Sequence, residues 1–316
     1  MKTNRLKPGW KIPYLFASPL MGLVLFSTGQ VKAQSDSTAS LPLKPAKVSS
    51  SKLTILGIGS GILYGGALAA AGQAWYQDMP RTRFHFFNDN QEWQQVDKVG
   101  HFWSAFHESR LAVSALKWAQ VPEKKAIIWG SLAGVLLQTP IEILDGYAVD
   151  YGASPGDLIA NAAGSAAVLG QYLVWSEWRV VPKFSFHRTR FAQERPAVLG
   201  SNLPEQILKD YNGQTYWLAV DIARFLPAYN RFPKWLNVAV GYGTEEIVYN
   251  DPGTNQQAGF RAYRQFYLAP DVNLSAIKTR SKFLNTAFFI LDMVHLPLPA
   301  LEYNPRQKLR FHTLYF

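Results

Sequence analysis

Residues 53–77 run for 25 positions without a charge, residues 126–141 for 16 and residues 158–176 for 19. Between the first two lies residues 95–110, QVDKVGHFWSAFHESR, which holds Asp97, Lys98, His101, His107, Glu108 and Arg110. An ionisable group enclosed by apolar helices is costly unless it is paired or put to use. The chain is thus constrained to a fold in which 95–110 meets other polar groups.

Turn residues and periodicity predict four helices. The first covers 53–77, with Gly57, Gly61 and Gly65 on one small-residue face that would let another helix approach closely. The second covers about 96–119 and the third 123–144. The fourth opens at Ser154-Pro155-Gly156-Asp157, where Ser is the N-cap, Pro the first helical residue and an acid the third, and continues to about 178. If the four run up and down with short connections, one end of the bundle collects Asp97, Lys98 and His101, then Glu142 and Asp145, then Asp157 and Asn161. Asp97/His101 and Asp157/Asn161 are spaced i, i+4, and Glu142/Asp145 i, i+3, so each pair shares a helix face.

A histidine among several carboxylates suits a hard or borderline divalent ion, with His101, Glu142, Asp145 and Asp157 as the ligands. The leading functional expectation is a polar cluster that binds a lipid head group or an ion. One alternative is a metal- or acid/base-dependent hydrolase of a lipid or cell-wall intermediate, with His101 and Glu142 as its catalytic pair. The other is a scaffold whose polar layer fixes helix register. No HExxH zinc motif, nucleophile elbow or P-loop is present.

The elements "FHFFNDNQEWQQVDKVGHFWSAF" and "EILDGYAVDYGASPGDLIANAAG" resemble the YfiM-like predicted periplasmic (lipo)proteins, a family of unknown function, and more distantly VanZ-like membrane proteins. The resemblance rests on Asp97, Lys98, Gly100, His101, Glu142, Asp145, Gly146, Gly152, Ser154, Asp157, Asn161 and Gly164. It covers residues 75–175 best and implies no established activity; the VanZ-like side hints at envelope lipids or the cell wall. YfiM-like members look like lipoproteins. This chain has no Cys, so membrane attachment would come from its helices or its tail.

Residues 1–33 read as a secretory signal: Lys2, Arg5, Lys7 and Lys11, then an apolar run to Gly29, then Val31-Lys32-Ala33. The mature chain would begin near Gln34, with a disordered linker over 34–51, and would reside in a bacterial cell-envelope membrane, inner or outer. Residues 179–316 carry 17 Lys/Arg against 10 Asp/Glu. Residues 235–243, 260–272 and 308–316 read as strands, and 216–225 and 279–294 as helical pieces. Export removes nucleic acid as a partner, and the net charge of +10 suits anionic membrane lipids. The expected fold is mainly α: an apolar four-helix bundle over 52–178, membrane-associated, followed by a smaller basic α+β region.

Overall fold

A computed structural model describes residues 48–71, 80–227, 229 and 231–316. The signal segment, most of the linker and the end of the first predicted helix lie outside the described residues. Five helices occupy the first half: α1 Ser50–Ala71, α2 Val96–Trp118, α3 Glu123–Ser131, α4 Ala133–Gly146 and α5 Pro155–Trp175. The second half is built on a six-stranded antiparallel meander: β1 Val180–Phe186, β2 Gln214–Val220, β3 Leu236–Glu245, β4 Tyr263–Val272, β5 Leu298–Asn304 and β6 Lys308–Tyr315. Helix α6, Lys282–Leu291, lies between β4 and β5.

This corrects the expected fold. The chain is not a mainly α four-helix bundle with a small tail, because a six-stranded sheet organises its C-terminal half. Segment 216–225, expected as helix, is β2 as far as Val220, where Trp217 and Ala219 are buried and Leu218 exposed, and only its second half is helical, as a 3-10 turn at Ile222–Arg224. The small-residue face of α1 does not bring a helix close. An added Cβ at Gly57, Gly61 or Gly65 would meet nothing within 4 Å, and Ile55, Ile58 and Ile62 are exposed. The close approaches occur elsewhere. A Cβ at Gly164 of α5 would lie 2.4 Å from the Phe102 carbonyl of α2, and one at Gly134 of α4 would lie 2.3 Å from the Ala105 carbonyl. Glycine is therefore what lets α4 and α5 seat against the backbone of α2.

The third predicted helix is two helices, α3 and α4, broken at Leu132. Two serines satisfy backbone donors just past the break. Ser109 Oγ of α2 accepts from Gly134 N at 3.0 Å, and Ser165 Oγ of α5 accepts from Val135 N at 3.1 Å. Buried N–H groups need such partners.

Helix α2 is the axis of the molecule, buried from Val96 to Ala115 along most of its length. It packs against α3, α4 and α5, and also against β1 and β2. His107 Nε2 donates to the Pro182 carbonyl of β1 at 2.7 Å, and Trp103 packs near Phe184. Burial together with Arg110 pushes His107 down to about 3, so its ring is neutral and structural.

The sheet curls strongly. Tyr315 of β6 is 3.0 Å from the Thr215 hydroxyl of β2, and its ring lies against Trp217, Tyr267 and His187. Segment 293–295 extends the β1 edge, with Phe184 N bonded to Met293 O and His295 N to Phe184 O. The enclosed face is polar and aromatic. Lys183, fully buried, pairs with Asp271 at 2.7 Å and Asp292 at 3.0 Å; His295 pairs with Asp271 at 2.9 Å and stacks on Trp217. The opposite face carries Leu218, Val240, Phe266, Leu268 and Tyr303, all exposed. Two helical stretches, Glu123–Gly146 and Pro155–Trp175, are long and apolar enough to cross a membrane, and only 39% and 22% of their apolar windows are buried.

Candidate functional site

The site is assembled where α2 begins, α4 ends and α5 begins. The chain enters α2 through three non-glycine residues in the left-handed region: Trp93 (φ 49°), Gln94 (φ 51°) and Gln95 (φ 63°). This conformation costs about 1–2 kcal/mol per residue, and tertiary bonds hold it. Trp93 N donates to Asn250 O, Tyr242 OH donates to Gln94 O, and Arg264 donates to Gln95 Oε1 at 2.6 Å. The turn fixes the first turn of α2, which bears Asp97 and Lys98.

Ser154 organises the other entry. Its Oγ caps α5 by accepting from Asp157 N at 3.1 Å and donates to Asp89 Oδ1 at 2.5 Å, while its backbone N donates to Glu142 Oε2 at 2.9 Å. One residue thus registers three of the four carboxylates.

The cluster has two sides. On one, Lys98 Nζ lies 2.7 Å from Asp89 Oδ2, 2.7 Å from Asp157 Oδ1 and 3.3 Å from Asp97 Oδ2. On the other, His101 Nε2 faces the remaining oxygens: Glu142 Oε1 at 3.8 Å, Asp157 Oδ2 at 3.9 Å and Asp97 Oδ1 at 4.0 Å. His101 Nδ1 is 3.1 Å from Asn161 Oδ1. That bond assigns the proton to Nδ1 and leaves Nε2 either to carry a second proton or to offer its lone pair to a cation. Tyr211 OH donates to Asp97 Oδ1 at 2.9 Å. His101, Asp97, Glu142 and Asp157 are each 3% exposed or less. Asp145 is buried one turn beyond Glu142 on α4.

Burial lowers the His101 pKa, but Asp157, Asp97 and Glu142 outweigh it and the net shift is upward. Lys98 behaves alike: burial lowers it, Asp97 and Asp157 raise it, and the net is upward. Among the described residues, four carboxylates stand against one ammonium, so negative charge is in excess there even when His101 is protonated. Glu142 Oε1 has no hydrogen-bond partner among the described residues. The Asp97, His101 and Asp157 ligand atoms lie within 4.8 Å of one another. Ligands around a tetrahedral ion at about 2.0–2.2 Å stand roughly 3.3–3.6 Å apart, so His101 and each acid need a few tenths of an ångström of closure, while ligand atoms as much as 4.8 Å apart need about 1 Å.

The other charges of the dense segment go elsewhere. Glu108 Oε1 accepts from Gln138 at 2.8 Å, and burial pushes this carboxyl up to about 8. Arg110 meets Asp292 at 3.4 Å. Two participants and one separate network were not foreseen from sequence. Asp89 sits in a turn-rich stretch with no helical spacing to flag it. Tyr211 comes from the region read as a separate tail. Lys183 with its acids is a second buried network; a lysine inside the apolar strand VPKFSF was the one available signal.

A groove of about 550 Å³ adjoins the cluster. Val99, Phe102 and Trp103 of α2 and Leu218 and Val240 of the sheet line it, and Lys98 also faces it.

Residues 85–173 match the family model described as a predicted periplasmic lipoprotein (DUF2279). The match takes in α2 to α5 and every cluster residue except Tyr211. It supports export to the cell envelope and carries no activity. Lipid attachment would require a cysteine, and none of the 316 residues is one. No curated protein and no solved structure matches the chain.

Proposed function

We propose that this is an envelope membrane protein of YfiM/VanZ-like type, whose cluster holds a divalent cation and, with the adjoining groove, binds a lipid. The cation sits on the His101 side, between Nε2 and the oxygens of Asp97, Glu142 and Asp157. Lys98 neutralises the far oxygens of Asp97 and Asp157 and keeps the ligands aimed inward. The head group meets Lys98 and the cation, and an acyl chain lies along the apolar groove. The observation that carries this reading is Lys98, whose ammonium pairs with three carboxylates while its side chain faces the groove. Binding is favoured over hydrolysis with His101 as base, because an Nε2 that holds the cation has no lone pair left to take a proton. The apolar outer surfaces of α1, α3, α4 and α5 and of the sheet make membrane lipid the natural surround.

The test is thermal unfolding of the full chain in detergent, stripped with chelator and then supplied with Mn²⁺, Zn²⁺ or Ca²⁺, with and without phosphatidylglycerol. Wild type should gain stability with at least one ion, as expected for a ligand that binds only the folded state, and gain again with lipid. Asp157→Asn and Glu142→Gln should lose the ion response. A wild type indifferent to every ion and to lipid would overturn the reading and leave a scaffold.

A further inference from the structure

The enclosed face of the curled sheet opens at one end into a second pocket, of about 390 Å³, formed by other residues than the cluster and its groove. Its floor holds two carboxylates that are already engaged. Glu302 accepts from Gln265 at 2.9 Å, from Asn304 at 2.6 Å and, through its other oxygen, from His312 Nε2 at 2.6 Å. Glu245 accepts from Tyr263 OH and from Gln265.

The cations at the mouth are not engaged in this way. Arg188 and Arg190 are exposed and have no acidic partner within ion-pair distance among the described residues. Arg190 rests against the Phe191 ring at 5.0 Å. Arg310 stands opposite Glu302 in the strand register, yet its side chain reaches only Gln307, at 3.5 Å. Two imidazoles complete the lining. His187 Nδ1 is buried with no hydrogen-bond partner. His312 spends Nε2 on Glu302, which leaves Nδ1 for a ligand. The pocket therefore has satisfied acids below and unspent donors above, an arrangement suited to a multiply charged oxyanion.

We propose that this pocket is a second binding site, for a phosphate group held by the guanidinium groups of Arg188, Arg190 and Arg310 and by the ring nitrogens of His187 and His312. The phosphate is either free or part of a lipid head group, and the two sources share the same contacts.

The experiment is calorimetric titration of the full chain in detergent with inorganic phosphate and with glycerol phosphate. Flotation with vesicles of phosphatidylcholine, alone or mixed with phosphatidylglycerol, runs in parallel. Wild type should bind phosphate or glycerol phosphate. The double variant Arg188→Gln/Arg310→Gln should weaken that binding about tenfold or more, as loss of charge-assisted contacts implies. His312→Gln should also weaken it, and Arg280→Gln, an exposed arginine outside the pocket, should leave it unchanged. If the double variant also loses its preference for phosphatidylglycerol vesicles, the phosphate is that of a head group; if it keeps that preference, the ligand is free phosphate. A wild type that binds neither anion, or an Arg280→Gln variant as impaired as the double variant, would overturn the proposal.

Discussion

Lys98 and His101 share one set of carboxylates without competing for the same oxygens. Asp97 and Asp157 each present one oxygen to the ammonium and the other to the imidazole. That division is a matter of rotamer and helix phase, which i, i+4 spacing suggests but does not fix. Spacing could place Asp97 and His101 on one face; it could not show that Asp89 would complete the lysine side. Seven residues downstream of His101, Glu108 gives a test independent of any ligand. Its carboxyl is pushed up to about 8, chiefly by burial. An acid whose pKa rises on folding keeps its proton in the native state, so stability is greatest at and below the unfolded value of 4.5 and is lost progressively as pH rises toward 8. Glu108→Gln keeps the shape and removes the ionisation. It should flatten this part of the pH–stability curve and raise stability at pH 8 by a few kcal/mol, since one pKa unit is worth about 1.4 kcal/mol. Chemical denaturation of both proteins across this range checks the expectation; parallel curves would contradict it.

At the scale of elements, α2 explains why so much charge occupies one segment. Its successive turns address different neighbours: Asp97 and His101 the ends of α4 and α5, His107 strand β1, Glu108 helix α4, and Arg110 the segment after α6. The charge density was plain in the sequence. The division of labour was not, because it depends on a sheet that the sequence showed only in part: β3, β4 and β6 were read as strands, whereas the end of β2 was taken for helix. The contact of α5 with α2 is equally specific. Gly164→Ala would push a methyl group into the Phe102 carbonyl and should cost about 1–3 kcal/mol, the usual range for overpacking. Because Asn161 lies one turn earlier on α5 and holds His101 Nδ1, the same change should weaken ion-dependent stabilisation. Gly170→Ala, where an added Cβ meets nothing within 4 Å, is the matched control. Equal behaviour of the two variants in thermal unfolding would show that close approach does not position the site.

For the whole molecule, polarity is inverted in the sheet: ion pairs and aromatic hydroxyls inside, aliphatic and aromatic side chains outside. The uncharged helical runs announced an apolar surface, but the sheet's share of it was hidden, because three strands read in isolation do not reveal that they curl around a common interior. On the proposed reading the outer face of the sheet meets lipid. Leu268→Arg on the outer face should lower stability in reconstituted bilayers, by up to about 2–4 kcal/mol if the position lies near the midplane. A surface change in water is usually within about 0.5 kcal/mol. Unfolding measured in lipid vesicles, with no loss on this substitution, would remove lipid from that face. The interior pairs should respond differently: Lys183→Met strands Asp271 and should cost about 3–5 kcal/mol in detergent and lipid alike.

The claim on which the functional account rests is that a divalent cation binds to Nε2 of His101 among three carboxylates. The direct measurement is electron–nuclear double resonance on chelator-stripped protein loaded with one equivalent of Mn²⁺, for wild type and for His101→Gln. The account predicts a bound ion coupled to a single imidazole nitrogen in wild type, with that coupling gone in the variant. Manganese bound with no nitrogen coupling in wild type, or a coupling that survives His101→Gln, would contradict it.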